Sequence, residues 1–170
     1  SETGRLSMQP VSDRDEQVIG DQLGRAPRGL VGIAWRCPCG HPGVVATRPR
    51  LPGGAPFPTF YYLTCPNAVV GCSRLEAAGM MAEMNERLGQ DADLAAAYRR
   101  AHETYLRDRA QFGEVPELAD QSAGGMPGRV KCLHALVAHA LAAGPGVNPL
   151  GDEALAALGP FWTKPCEGRR

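Results

Sequence analysis

Along the second half of the chain apolar residues recur every three to four positions. Along the first half they gather in short blocks. Ala77, Met81, Met84 and Leu88 keep to one helical face, and after Gly89 a second stripe runs through Leu94, Tyr98, Ala101 and Tyr105. Residues 73–112 are therefore predicted to form a helical hairpin, with Asp91 as N-cap of the second arm. The early blocks read as strands: Leu30–Arg36, Val44–Thr47 and the aromatic Phe60–Thr64, with the Pro- and Gly-rich stretch 51–58 as a loop between the last two. Ahead of them, Ser12 and Asp15 have capping-box spacing before Val18, Ile19 and Leu23. A loop over 113–128 is expected to lead into a helix from about Arg129 to Ala143. The rigid segment 144–149 and a short helix over 152–158 follow, with Asn148 or Asp152 as its cap.

The expected class is α+β, a small antiparallel sheet near the N-terminus followed by the helical hairpin and further helices. Its length fits a single domain over 1–170, with a core of about 12–158 and flexible ends at 1–11 and 164–170.

Composition narrows the function classes. Eighteen basic residues balance eighteen acidic ones, so the electrostatic excess of a nucleic-acid binder is absent. Sixteen of the basic residues are Arg and two are Lys, a bias read as GC-rich codon usage of the actinobacterial kind. No apolar run is long enough to span a membrane, and the polar start lacks a signal-peptide core. The expected compartment is the cytoplasm, where thiols stay reduced. The six Cys then read as metal ligands, reactive thiols or small core residues.

Two segments carry candidate chemistry. The first is Cys37-Pro-Cys39-Gly-His41, in the turn between the first two strands, with Cys65 at the end of the third. Thiols one residue apart can reach one ion, but tetrahedral zinc needs further donors. The candidates are Cys65, Cys72, Cys132, His41, His134 and His139. A simple meander is expected to end the third strand away from the Cys37 turn, and the opposite pairing to bring Cys65 back; the pattern does not choose. An iron–sulfur cluster is the lesser alternative, because its ligand spacings are missing.

The second segment runs from Ser122 to His134. Gly124 and Gly125 would let backbone amides approach a ligand, and a helix starting near Arg129 would offer its N-terminus to an anion, with Arg129 and Lys131 adding charge. Cys132 in the first turn would be a reactive thiol. On a regular helix Cys132 and His134 point about 160° apart, so they converge only if the helix starts after Cys132. Cys132 and His139 share a face at a separation of roughly 10 Å.

Several stretches together resemble a known family. They are Arg36-Cys-Pro-Cys-Gly40, Tyr61-Tyr-Leu-Thr-Cys-Pro66, Ser73-Arg-Leu-Glu-Ala-Ala-Gly79, Ala123-Gly-Gly-Met-Pro127 with Arg129-Val-Lys-Cys-Leu-His134, and Gly144-Pro-Gly-Val-Asn-Pro149. The chain is similar over about 12–158 to the actinobacterial family called domain of unknown function 501. The resemblance implies no established activity. Its pattern includes Cys37, Cys39, Cys65, Cys132, His134 and His139 and leaves aside Cys72 and Cys166. Members are often encoded near a septum-formation initiator and an exopolyphosphatase, which implies a role near division or polyphosphate metabolism.

The resulting expectation is a cytoplasmic zinc-binding protein. Its ligands would be Cys37, Cys39, Cys65 and Cys132, with His134 as substitute fourth, and an anionic small molecule or a protein partner would bind at Gly124, Gly125, Arg129 and Lys131. One alternative is a metal- or Cys-dependent hydrolase of a phosphorylated or acyl substrate, with Cys132, His134 and His139 as catalytic residues. The other is an adaptor presenting Arg99, Arg100, Arg107 and Arg109 on the hairpin's outer side.

Overall fold

The computed structural model describes Leu6 and residues 8–162. Helix α1 (Asp13–Leu23) precedes strands β1 (Leu30–Arg36), β2 (Pro42–Thr47) and β3 (Tyr61–Leu63). Five more helices follow: α2 (Pro66–Ala77), α3 (Met80–Gln90), α4 (Ala92–Ala110), α5 (Leu133–Ala143) and α6 (Pro149–Leu158). The class is α+β, as expected. The expected loose tail at 164–170 lies outside the described residues. Gln9, in the stretch expected to be a flexible end, exchanges both backbone hydrogen bonds with Ile33.

The sheet is an antiparallel meander in the order β1-β2-β3, with Ile33 opposite Val45 and Val44 opposite Leu63. This corrects the expectation that a meander carries Cys65 away from the Cys37 turn. Alternate strands of a meander run the same way, so β1 and β3 end at the same edge. The amides of Thr64 and Cys65 both bond the Gly43 carbonyl, at 2.8 and 3.2 Å.

β2 is buried along its whole length because both faces are covered. Val45 joins Ile33 and Ile19 under α1, and the capping box of α1 forms as its spacing predicts. Val44 and Ala46 face the larger core of α2–α6. The period-2 alternation of strand side chains thus distributes one strand between two clusters.

The helices depart from a simple hairpin. α2 begins at Pro66, directly after β3, and is separated from α3 by Gly79 at φ 91°, a left-handed conformation that favours glycine. The apolar stripe from Ala77 to Leu88 therefore spans two helices. Asp91 caps α4 through the amides of Asp93 and Leu94, as expected. Arg109 is not on an outer face: it is buried and donates to the Pro58 and Leu118 carbonyls at 2.9 and 2.7 Å. Arg99, Arg100 and Arg107 are exposed.

α5 is the central helix, packed against α2, α6 and the sheet, and Leu133 and Ala135–Ala140 are all buried. Leu133, Leu136 and Val137 each contribute about 2 kcal/mol of apolar burial. Asn148 caps α6 by accepting from the Gly151 amide at 2.9 Å. Among the described residues no helix is long and apolar enough to cross a membrane.

Candidate functional site

α5 starts at Leu133, four residues later than the sequence suggests, and its N-cap is Cys132. Residues 124–131 fold back on themselves instead of continuing the helix. Lys131 N donates to the Gly124 carbonyl at 2.7 Å and Arg129 N to the Gly125 carbonyl at 3.1 Å. From α3, Asn85 clamps Val130 through both its amide and its carbonyl, at 2.7 and 3.0 Å. Tyr98 donates to the Arg129 carbonyl at 2.9 Å. A Cβ on Gly125 would lie 2.7 Å from the Arg129 oxygen. The glycine is therefore needed for the loop to close on itself, so the cradle read from the sequence is filled by the chain's own backbone. The Arg129 and Lys131 side chains are exposed.

The late start decides which side chains meet. Cys132 has extended backbone (φ −153°) rather than helical geometry, so the regular-helix angle between it and His134 does not apply. Cys132 Sγ lies 3.9 Å from His134 Nδ1. A third group arrives from the end of α2. Glu76 Oε2 accepts from the Leu133 amide at 2.8 Å and lies 3.1 Å from His134 Nδ1. Glu76 thus occupies the N-terminus of α5, the place where the sequence suggested an external anion. Ligand atoms of Glu76, Cys132 and His134 all lie within 4.8 Å of one another.

The other ring nitrogen fixes the tautomer. His134 Nε2 is 3.2 Å from the Val69 carbonyl, which can only accept, and 3.2 Å from Ser73 Oγ. Nε2 therefore carries the proton. Nδ1 points at a carboxylate and a thiol, and this arrangement is satisfied by a cation shared among the three, either a second proton on the ring or a metal ion.

Electrostatics agree with that geometry. The Cys132 hydrogen bond raises the pKa of His134, against burial and with help from the Glu76 charge. Burial alone would raise the Cys132 thiol, but His134 and the Ala135 amide outweigh it and the net shift is downward. Cys72, fully buried on α2, goes the other way, pushed up to about 12 chiefly by burial, and is an inert core thiol.

Cys132 and His134 line a cleft of about 780 Å³ between α1, β3, α2 and α5. Its wall is largely apolar, with Leu23, Tyr62, Leu63, Val69 and Val70 among the lining residues, and the described residues that line it include no Asp, Glu, Lys or Arg. Arg129 and Lys131 do not border it.

Residues 33–156, most of the chain, match the family described as Protein of unknown function (DUF501). The chain belongs to that family. The DUF501 span begins inside β1 and ends inside α6, so it takes in Cys37, Cys39, Cys65 and the whole Glu76–Cys132–His134 cluster. No curated protein and no solved structure matches the chain.

The remaining candidates from the sequence are placed elsewhere. His139 is fully buried, stacked on Tyr61 and edge-on to Tyr105, and is not brought to Cys132. Cys37 and Cys65 are buried at the β1/β3 end of the sheet, and Cys39 is exposed on the turn. Glu76 escaped sequence reasoning because it lies 56 positions from Cys132 and reads as one more polar residue on a helix. The available signal was its place in the last turn of a helix. There a carboxylate is poorly matched to the helix dipole and needs another partner.

Proposed function

We propose that the chain is a zinc-dependent hydrolase of uncharged acyl substrates, with Glu76, Cys132 and His134 as the three protein ligands. The observation that carries this reading is the convergence of three unlike donors on one point beside a cleft, with the Nε2–H of the His held by the Val69 carbonyl. A ligating His typically hands its other N–H to such an acceptor, which fixes the ring for the metal. A thiolate, a carboxylate and a neutral imidazole together carry a charge that a dication balances. Zinc accepts S, N and O donors, and three protein ligands leave its fourth position for water or substrate. Zinc in such a site supplies a water of lowered pKa. The chain's own residues orient the ligands and surround the cleft with apolar surface. The described residues of that wall offer no Lys or Arg to a phosphate, which favours an acyl over a phosphorylated substrate.

The test compares wild type with Glu76→Gln, Cys132→Ser and His134→Ala, purified without chelator. Wild type is expected to retain zinc that Cys132→Ser loses, and to hydrolyse neutral esters or amides in preference to phosphate monoesters. Chelation should abolish the activity and zinc should restore it. Equal zinc in wild type and Cys132→Ser overturns the metal assignment. A second reading is favoured by the downward shift of the Cys132 thiol: a thiolate–imidazolium nucleophile that needs no metal. Its activity would survive chelation and be destroyed by alkylation of Cys132.

A further inference from the structure

A second cleft, of about 540 Å³, opens where the end of α4 meets residues 113–119. The described residues that line it include none of those that line the Cys132 cleft. Leu106 and Ala110, one helical turn apart on α4, give it an apolar floor, and Val115, Pro116 and Ala119 line it from the following segment. That segment is pinned. The Leu118 amide donates to the Val115 carbonyl at 2.8 Å and the Ala119 amide to the Pro116 carbonyl at 3.2 Å. Arg50 holds Glu117 at 2.9 Å. The size falls within the range of small-molecule pockets, about 300–1,000 Å³.

Arg109 borders this cleft although it is only 5% exposed. Two of its N–H groups are used, one on the Pro58 carbonyl at 2.9 Å and one on the Leu118 carbonyl at 2.7 Å. A guanidinium carries about five such donors. Its Nε has no partner among the described residues and is not sealed in the interior, so that edge opens onto the cleft. Both partners are neutral carbonyls, and among the described residues no carboxylate lies within ion-pair distance of Arg109. The adjacent Asp108 is engaged by Tyr61 at 2.7 Å. The last carbonyls of α4 are closed by the amides of Gln111, Phe112 and Gly113 at 3.2, 3.0 and 3.2 Å, which blunts the negative end of the helix. Burial lowers the Arg109 pKa, but a guanidinium keeps its proton inside a protein. A buried cation with free donors and no countercharge is stabilised by an anion. Arg107 and Glu114, both exposed, also line the cleft. Two cations against one carboxylate leave its wall one positive charge, which matches a monoanion.

We propose that this cleft binds a small organic monocarboxylate with an apolar body. The carboxylate accepts from the free edge of Arg109, and the body lies on Leu106 and Ala110. Arg107 draws the anion in and Glu114 opposes it. The site is independent of the hydrolase reading.

Hexanoate is titrated into the full chain at constant ionic strength, with acetate, inorganic phosphate and hexanamide as comparison probes. Binding is read from NMR shifts of the backbone amides and of Arg Nε–H. The expected result with hexanoate is saturable shifts at Gly113, Val115, Ala119 and the Arg109 Nε–H. Acetate lacks the apolar body and should bind at least about tenfold more weakly. Phosphate should also bind more weakly, and hexanamide should produce no such shifts. Arg107→Gln should weaken hexanoate binding and Glu114→Gln should strengthen it, each by about threefold; both residues are exposed, so both variants keep the fold. Cys132→Ser should bind hexanoate as wild type does, whatever its zinc content, so failure of the hydrolase reading leaves this result unchanged. Hexanamide binding as tightly as hexanoate overturns the proposal by removing the role of charge. Acetate or phosphate binding as tightly as hexanoate overturns it by removing the apolar body. Hexanoate shifts that do not saturate, or that gather at Cys132 and His134 instead, overturn it as well.

Discussion

His139 should make the protein acid-sensitive in a defined window. The Gly151 amide donates to Asn148 Oδ1, which turns Asn148 Nδ2 toward His139 Nδ1 at 3.1 Å. Nδ1 therefore accepts, and the proton of the neutral ring sits on Nε2, which has no hydrogen-bond partner among the described residues. Tyr61 stacks on the ring at 5.7 Å and Tyr105 meets it edge-on at 5.1 Å, and Tyr61 in turn donates to Asp108 at 2.7 Å. Burial without a countercharge lowers the His139 pKa from 6.5 to about 4. The unfolded chain takes up the proton near 6.5, while the folded chain refuses it until about 4. Stability linked to this group is full above pH 6.5, falls as the pH drops toward 4, and is level below that. At about 1.4 kcal/mol per pH unit the loss amounts to about 3 kcal/mol, a large share of a typical domain's stability. Urea unfolding of wild type and His139→Gln across this range isolates the effect, because other titrating groups contribute equally to both. The stability gap between wild type and variant should close by about 3 kcal/mol between neutral pH and pH 4. Parallel stability profiles would refute the reasoning.

Three further outcomes follow from the packing and the site. A Cβ on Gly151 would lie 2.3 Å from the Leu136 carbonyl oxygen, so Gly151→Ala should force α5 and α6 apart and cost about 2 kcal/mol or more; an unchanged thermal midpoint would contradict that contact. Asn85→Ala leaves both polar groups of Val130 without their clamp and should cost about 2 kcal/mol, with faster amide exchange at Lys131 and none of it spreading to the core of α5. Glu76→Gln keeps an acceptor for the Leu133 amide, so its stability should stay within about 1 kcal/mol of wild type while metal retention is lost. Glu76→Ala should lose the helix cap as well, about 1 kcal/mol more. Equal zinc in Glu76→Gln and wild type would reduce Glu76 to a capping role.

The sequence by itself determined what depends on neighbours in the chain. The Ser12–Asp15 box, the Asp91 and Asn148 caps and the three strands were legible because hydrogen bonds over three residues and period-2 alternation are written locally. The resemblance to DUF501 was likewise legible in short motifs. Only the tertiary structure decided the chemistry. Arg129–Cys132 has no local reason to leave the helix; Asn85 and Tyr98, more than thirty positions away, hold it extended. That displacement alone turns Cys132 toward His134 and lets Glu76 reach both. The same holds for His139, whose helical position shares a face with Cys132 but whose ring is enclosed by aromatics from β3 and α4. Convergence of donors depends on where packed elements place their ends, and no spacing along the chain encodes that.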